Sequence, residues 1–333
     1  MSEDVPLIIS DFQHCMNALE IDWSGYRAIA VAVSGGPDSM ALCRLLSDWA
    51  SGGGLEVHAL TVDHNLRAES AAEALQVSGW LDGLPHVCHE VLKWECPPNT
   101  AVQEEARRAR YGLMSEYCKA HDIRYLFLAH HGDDQAETVL FRLAKGSGLD
   151  GLSGMQSMQV YDDNLTLVRP LLEKTKDDLI GFCELESVSY IDDPSNESDR
   201  FARVRLRKSR EILEGEGLSS KRLNVTAKRL LRARKALESM TEDVFRCGVV
   251  SSNDGRIIFN SNVLLEQPEE IVLRCVLKAF EEFRPEYDYA PRMEKVEALV
   301  ADLIGSNVFR KRTLGGVIFE RDDKTGHFIL EKE

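Results

Sequence analysis

Residues 28–33 read AIAVAV, an unbroken apolar run bounded by polar residues, and such a run predicts a strand buried on both faces of a parallel sheet. From Ser39 onward, Leu42, Leu45, Leu46 and Trp49 recur at helical spacing until Gly52-Gly53-Gly54 stops the helix. The unit is strand, tight loop, helix. Residues 55–62 predict a second strand, 66–81 a second helix, and 87–92 a third strand ahead of the break at Pro97-Pro98. Thr100 and Gln103 make a capping box for a helix running to about residue 120. YLFLA at 125–129 is again a buried strand, and a helix from Asp133 through Lys145 is closed by Gly146. Strands alternating with helices over the first 200 or so residues predict an α/β fold with a doubly wound parallel sheet, whose ligands sit at the carboxyl ends of the strands.

The rhythm changes from about residue 219. Helical patterns at 222–245, 268–283 and 291–304 precede two β-like runs at 316–321 and 327–330. Two domains are therefore expected, residues 1–215 and a smaller, mostly helical 216–333, with a joint in the 215–220 region. No internal repeat or low-complexity tract appears.

Composition changes this picture little. The 333 residues are 44% hydrophobic and 29% charged, an ordinary globular balance. No stretch approaches the roughly 18 consecutive apolar residues that span a bilayer. The opening MSEDVPLIIS has neither a positive n-region nor a long apolar core, so a cytoplasmic protein without membrane association is expected. The eight cysteines are scattered with no CxxC pair, which suits buried free thiols in a reducing compartment and speaks against structural zinc or an iron–sulfur cluster.

Charge changes it more. The net charge of −15 hides a window, 200–235, with thirteen basic and three acidic residues. That local excess of +10 leaves −25 for the rest and marks a footprint for polyphosphate.

Candidate chemistry begins at Ser34-Gly35-Gly36-Pro37-Asp38-Ser39. Gly is nowhere followed by Lys, so the GxxxxGK[ST] phosphate loop is excluded. The SGGPDS loop supplies an alternative: two glycines let backbone N–H groups approach a pyrophosphate, Ser34 and Ser39 add hydroxyls, and a helix N-terminus follows. Asp38 cannot donate to phosphate and suits Mg²⁺. ATP split to AMP and pyrophosphate is the expected chemistry. Residues 146–151 match GxGxxG but follow a helix instead of a strand, so they fail as a dinucleotide fingerprint and read as a mobile substrate loop.

Asp63 and His64 end the second strand, where they can meet the adenosine half of ATP. Glu104, Arg107, Arg108 and Tyr111 share a helical face; Arg107 and Arg110 are candidate contacts to nucleotide or RNA phosphate, against intrahelical ion pairing. The densest polar cluster is HHGDDQAE at 130–137, with Asp134 and Glu137 on one face. Two readings compete: a two-metal phosphohydrolase, or carboxylates that grip a cationic amine while a histidine handles protons or phosphate charge. The SGGPDS loop favours the second.

The ordered set SGGPDS, VDHNLR, EEARRARY, AHHGDDQAET, GSGLDGLSGM, RPLL and DDPSN resembles the tRNA(Ile)-lysidine synthetases of the N-type ATP pyrophosphatase superfamily. The likeness covers residues 28–210, and TLGG at 313–316 extends it loosely. The resemblance implies an adenine nucleotide alpha hydrolase-like catalytic domain and a C-terminal domain for tRNA binding. It also implies a ligase reaction. ATP adenylates the C2 oxygen of the wobble cytidine in a CAU-anticodon isoleucine tRNA, L-lysine displaces AMP, and the lysidine formed pairs with A, so codon reading moves from AUG to AUA. By motif, residues 34–39 bind pyrophosphate, Asp38 holds Mg²⁺, Asp38, His131, Asp134 and Glu137 are catalytic, and Asp134 and Glu137 receive the lysine ammonium. Arg200, Arg203, Arg205 and Arg207 fall in the arginine-rich segment and are candidates for tRNA phosphate and the adenylate. Longer family members carry an additional C-terminal domain. Competing expectations are a tRNA thiolase with the same ATP loop and a nucleotide-sensing RNA-binding module without catalysis.

Overall fold

A computed structural model describes residues 5–63, 70–94, 102–192, 209–253, 255–283, 291–305, 309–322 and 324–333. They form two compact units, Met1–Leu230 and Leu231–Glu333.

The first unit opens with helix α1 (Val5–Asn17). There follow β1 (Ala28–Ala32), α2 (Pro37–Ser51), β2 (Glu56–Asp63), α3 (Ser70–Leu81), β3 (Val87–Lys93) and α4 (Val102–Ala120). Next come β4 (Tyr125–Phe127), α5 (Gly132–Ala144), the four-residue α6 (Leu149–Leu152), β5 (Met158–Val160), β6 (Thr166–Val168), α7 (Lys176–Leu185) and α8 (Arg210–Gly215). The strands join in the order β3-β2-β1-β4-β6-β5. All neighbours are parallel except the β5/β6 pair.

Alternation along β1 explains the layers. Ile29 and Val31 point to the face covered by Leu42 and Leu46 of α2 and Phe182 of α7. Ala30 points to the other face, with Leu60 and Leu126, under Tyr111, Met114 and Cys118 of α4. Burying side chains such as Leu46, Phe127 and Phe182 contributes roughly 1.5–3 kcal/mol each, so the sheet is a firm platform for the loops at its carboxyl edge. β1 has β2 on one side and β4 on the other, and the chain order reverses between β1 and β4. A crevice opens at the carboxyl ends of such a strand pair. Residues 34–39 leave β1 there and residues 130–134 leave β4.

α9 (Ser220–Gly248) runs through the division between the units. The parting at Leu230 lies well past the expected 215/216, because the first turns of α9 belong to the first unit. Leu223 and Ala227 pack on Ala136 and Val139 of α5, and Asn224 Nδ2 donates to Gly132 O at 3.0 Å.

The second unit continues with β7 (Val249–Asn253), β8 (Arg256–Phe259), α10 (Ser261–Leu265), α11 (Glu269–Glu282), α12 (Met293–Gly305), β9 (Arg312–Leu314), β10 (Val317–Arg321) and β11 (Phe328–Lys332). Its helices cover an antiparallel sheet of order β7-β8-β11-β10-β9. Two β-like runs were expected there, and among the described residues five strands form. β7 and β9 are short and solvent-facing, so they carry no apolar alternation for a sequence to display.

Cys43, Cys118, Cys183 and Cys275 are buried free thiols, and burial pushes each up to about 12. Cys88 and Cys247 are exposed, contrary to a uniformly buried set, and Cys96 lies outside the described residues. Among the described residues no helix is long and apolar enough to cross a membrane.

Candidate functional site

The loop after β1 is shaped by its own residues. Gly35 adopts φ +86°, and a Cβ there would stand 2.9 Å from both Ile191 Cδ1 and Val77 Cγ2. Gly35 O also accepts from Ile191 N–H at 2.8 Å. Gly36 caps α2 and Pro37 takes its first turn, where a missing N–H leaves no bond unmade. Ser39 Oγ donates to Gly36 O at 3.0 Å and accepts from Ser34 N–H at 3.1 Å, while the two hydroxyls stand 3.2 Å apart. The serines thus brace the loop against itself as well as facing its hollow. Gly35→Ala combines a left-handed backbone with two close contacts; it should lower stability by about 1–2 kcal/mol and weaken ATP binding, measurable by thermal melts with and without ATP.

This loop walls a cavity of about 720 Å³, shared with Asp63 at the end of β2, Arg110 and Tyr111 of α4, and His130, His131 and Asp134 after β4. Ser34, Gly36, Pro37, Asp38 and Ser39 line it directly, while Gly35 supports the turn behind them.

His131 is the hub. It caps α5 in a box in which the Asp133 N–H donates to its Nδ1 at 3.3 Å and its own N–H donates to Asp134 Oδ2 at 3.2 Å. With Nδ1 accepting, a neutral ring carries its proton on Nε2. That atom faces Asp134 Oδ2 at 3.4 Å and Asp38 Oδ2 at 3.7 Å. The capping bond therefore aims a donor at the point where carboxylates from the first turns of α2 and α5 meet.

The neighbouring acid has another task. Asp133 accepts from Ser220 Oγ at 2.7 Å and from the Lys176 backbone N–H at 3.0 Å, tying α5 to α7 and α9. Both Asp133 oxygens are thereby taken up in a joint between elements. His130 belongs to a different environment from His131. Burial pushes its imidazole down to about 4, with Asp134 pulling the other way and Arg169, Arg107 and Arg110 adding to the fall. Its ring is neutral at ordinary pH, and among the described residues its buried Nδ1 meets no hydrogen-bond partner.

Asp134 and Glu137 share a helical face but line different cavities. A second cavity of about 270 Å³ adjoins the first through His131 and Lys176 and is lined by Glu137, Glu214 and the apolar Leu140, Leu213 and Leu223. Sequence reasoning missed Lys176, although Thr175 and Asp178 form a capping box that announces the start of α7 at that residue.

The arginines divide. Arg108 pairs with Glu105 at 2.8 Å on an exposed face, the intrahelical outcome. Arg107 and Arg110 instead flank the Tyr111 ring, at 5.3 and 5.5 Å from its centroid, and only Arg110 of the two lines the cavity. The side chain of Glu104, and all of His64, Arg200, Arg203, Arg205 and Arg207, lie outside the described residues. The GxGxxG segment follows a helix, as expected, but is held: Gln135 exchanges hydrogen bonds with Met155, and Arg142 Nη1 donates to Gly151 O and Gly154 O.

Comparison with known proteins gives these features a lineage. A family model described as a PP-loop domain matches residues 8–213. A tRNA(Ile)-lysidine synthase from Rhodopseudomonas palustris is 36% identical over 310 residues, covering 89% of this chain and 88% of its own. One from Wolbachia pipientis is 34% identical, covering 86% and 67%, and one from Ruegeria pomeroyi is 38% identical, covering 80% and 63%. The U34-tRNA thiolase NcsA from Methanococcus maripaludis, solved with its [4Fe-4S] cluster, aligns over 68% of this chain and 78% of its own with a TM-score of 0.54. At 17% identity that likeness is one of fold. Likeness at more than a third identity along nearly the whole of a relative, on top of the domain match, is decisive: the chain belongs to the tRNA(Ile)-lysidine synthase family of PP-loop proteins.

Proposed function

We propose that this protein is an ATP-dependent ligase that forms lysidine on a CAU-anticodon isoleucine tRNA, in the cytoplasm, using L-lysine. The observation that carries the reading is the pair of adjoining cavities that share His131 and Lys176, one bearing the SGGPDS loop and the other carboxylates and apolar walls.

The larger volume suits ATP, with the backbone N–H groups of the loop and the N-terminus of α2 directed at the β- and γ-phosphates. The C2 oxygen of the cytidine attacks the α-phosphorus and pyrophosphate leaves. The smaller volume suits lysine. Its four-carbon stem lies against Leu140, Leu213 and Leu223, and Glu137 receives an ammonium group, with Asp134 on the same helical face in the adjoining cavity. The other amine, deprotonated, attacks C2, and AMP departs with the oxygen. His131 Nε2–H is a donor at the junction, available to the phosphate oxygens of the adenylate.

Mg²⁺ prefers oxygen donors and takes one or two carboxylates alongside substrate phosphates. Asp38 and Asp134, whose oxygens meet at His131 Nε2, fit that donor set. Bound there, the ion would neutralise phosphate charge. For the RNA, α9 presents Lys221, Arg222 and Arg229 of the first unit to solvent, positions suited to phosphate contacts, with Lys228 beside them paired to Glu173. Arg203, Arg205 and Arg207 extend the same basic window in sequence, and the second unit supplies the wider contacts that separate this tRNA from the methionine tRNA with the same anticodon.

The test is direct. Incubated with labelled ATP, labelled lysine and the isoleucine tRNA, the protein should release AMP and pyrophosphate and link lysine to RNA. ADP as the product, or lysine that stays free, refutes the assignment.

A further inference from the structure

We propose that Tyr161, stacked on Tyr111, is the platform on which a base of the RNA flanking the reacting nucleotide stacks; this rests on the function proposed above. Tyr161 follows edge strand β5, where Val160 is 74% exposed and Tyr161 itself 40%. Its ring lies over Tyr111 with centroids 5.6 Å apart and planes at 29°. Tyr111 is 5% exposed and lines the nucleotide cavity, so the two rings form a short aromatic column leading from the cavity wall to solvent.

The hairpin is fixed where it stands. Asp162 accepts from Ser115 Oγ of α4 at 2.6 Å and from the Asn164 and Leu165 N–H groups at 2.8 and 2.9 Å. These bonds hold the carboxylate to the turn and pin the hairpin to α4. The platform therefore needs no rearrangement to present its ring.

Charge at the Tyr111 end of the column is positive, while Asp162, next to Tyr161, is taken up by Ser115 and the turn. Arg107 and Arg110 flank the Tyr111 ring. Arg169, 4% exposed at the end of β6, donates to Gln156 O and Gln159 Oε1, and among the described residues no carboxylate pairs with it. A buried guanidinium beside others of its kind is unfavourable in isolation and favourable once a phosphate lies across the group. An aromatic face with flanking arginines is the recurring solution for unstacked RNA bases. The reaction creates the ligand: a cytidine whose C2 oxygen must reach ATP leaves its stack, and its neighbour loses one stacking face.

The experiment compares the full chain with Tyr161→Ala, Tyr161→Leu and Tyr161→Trp, measuring the Kd for the isoleucine tRNA, the KM for ATP and the turnover at saturating tRNA. Leucine still covers Tyr111, so loss in that variant reports the stacking face and not the packing. We expect Kd to rise about tenfold in the alanine and leucine variants, with ATP KM and saturated turnover unchanged, and tryptophan to bind at least as tightly as wild type. Wild-type tRNA affinity in Tyr161→Leu overturns the platform, as does an ATP KM that rises in step with Kd, which would assign the ring to the nucleotide. A wild-type protein that binds this tRNA yet forms no lysidine sinks the proposed reaction while leaving the Kd comparison readable. One that binds no tRNA overturns both.

Discussion

Asp38→Ala should abolish tRNA-dependent pyrophosphate release, by a hundredfold or more on the general scale of lost phosphate-charge stabilisation, while the protein remains folded. The carboxylate stands in the first turn of α2, where a negative side chain is worth only about 0.3–1 kcal/mol to the helix, so the thermal midpoint should barely move. The carboxylate also lines the cavity beside the loop and opposite His131. Asp38→Asn keeps the shape but not the charge and should fail nearly as badly, because a neutral amide neither holds a divalent cation nor orients the His131 proton. Full pyrophosphate release by the asparagine variant would remove Asp38 from phosphate chemistry and leave it a first-turn charge on α2.

Glu137→Ala should separate the two half-reactions. Glu137 lines the smaller cavity and not the nucleotide cavity, so adenylation should persist while lysine transfer falls roughly a hundredfold, the general penalty for leaving a bound charge without its partner. Pyrophosphate would continue to appear and adenylated tRNA would accumulate, visible as label from the α-phosphate of ATP retained on RNA. Raised lysine should recover part of the rate. Equal loss of both steps would contradict a role confined to the amine, and would indicate that the helix carrying His131 and Asp134 had shifted.

Much of the catalytic unit was legible along the chain. The AIAVAV run, the SGGPDS loop and the helix after it are local features, and β1, the Gly36 cap and α2 follow them residue by residue. The helix opened by the HHGDD cluster is equally local, since His131 and Asp134 cap it from within the same turn. Less was legible beyond it. The β5/β6 hairpin consists of two three-residue strands, too short to display a period, and α1 and α7 were not anticipated either. In the second unit the outer strands β7 and β9 are solvent-facing and are recruited by pairing with β8 and β10, which no single segment announces.

The sequence by itself determined the chemistry-bearing loops and the alternation that builds a doubly wound sheet, because hydrophobic periodicity, glycine placement and helix caps act within a few residues. Only the tertiary structure decided what those loops meet. The reversal of strand order between β1 and β4 brings Asp38 to His131, nearly a hundred residues later in the chain. Packing of α7 and α9 on α5 turns Asp133 into a joint and leaves its neighbour Asp134 to the cavity. The same packing divides one acidic helix face between two cavities, and the short hairpin carries Tyr161 to Tyr111. Such meetings depend on register and crossover between elements far apart in sequence, and a linear pattern of apolar and polar residues does not encode which distant partner a side chain will face.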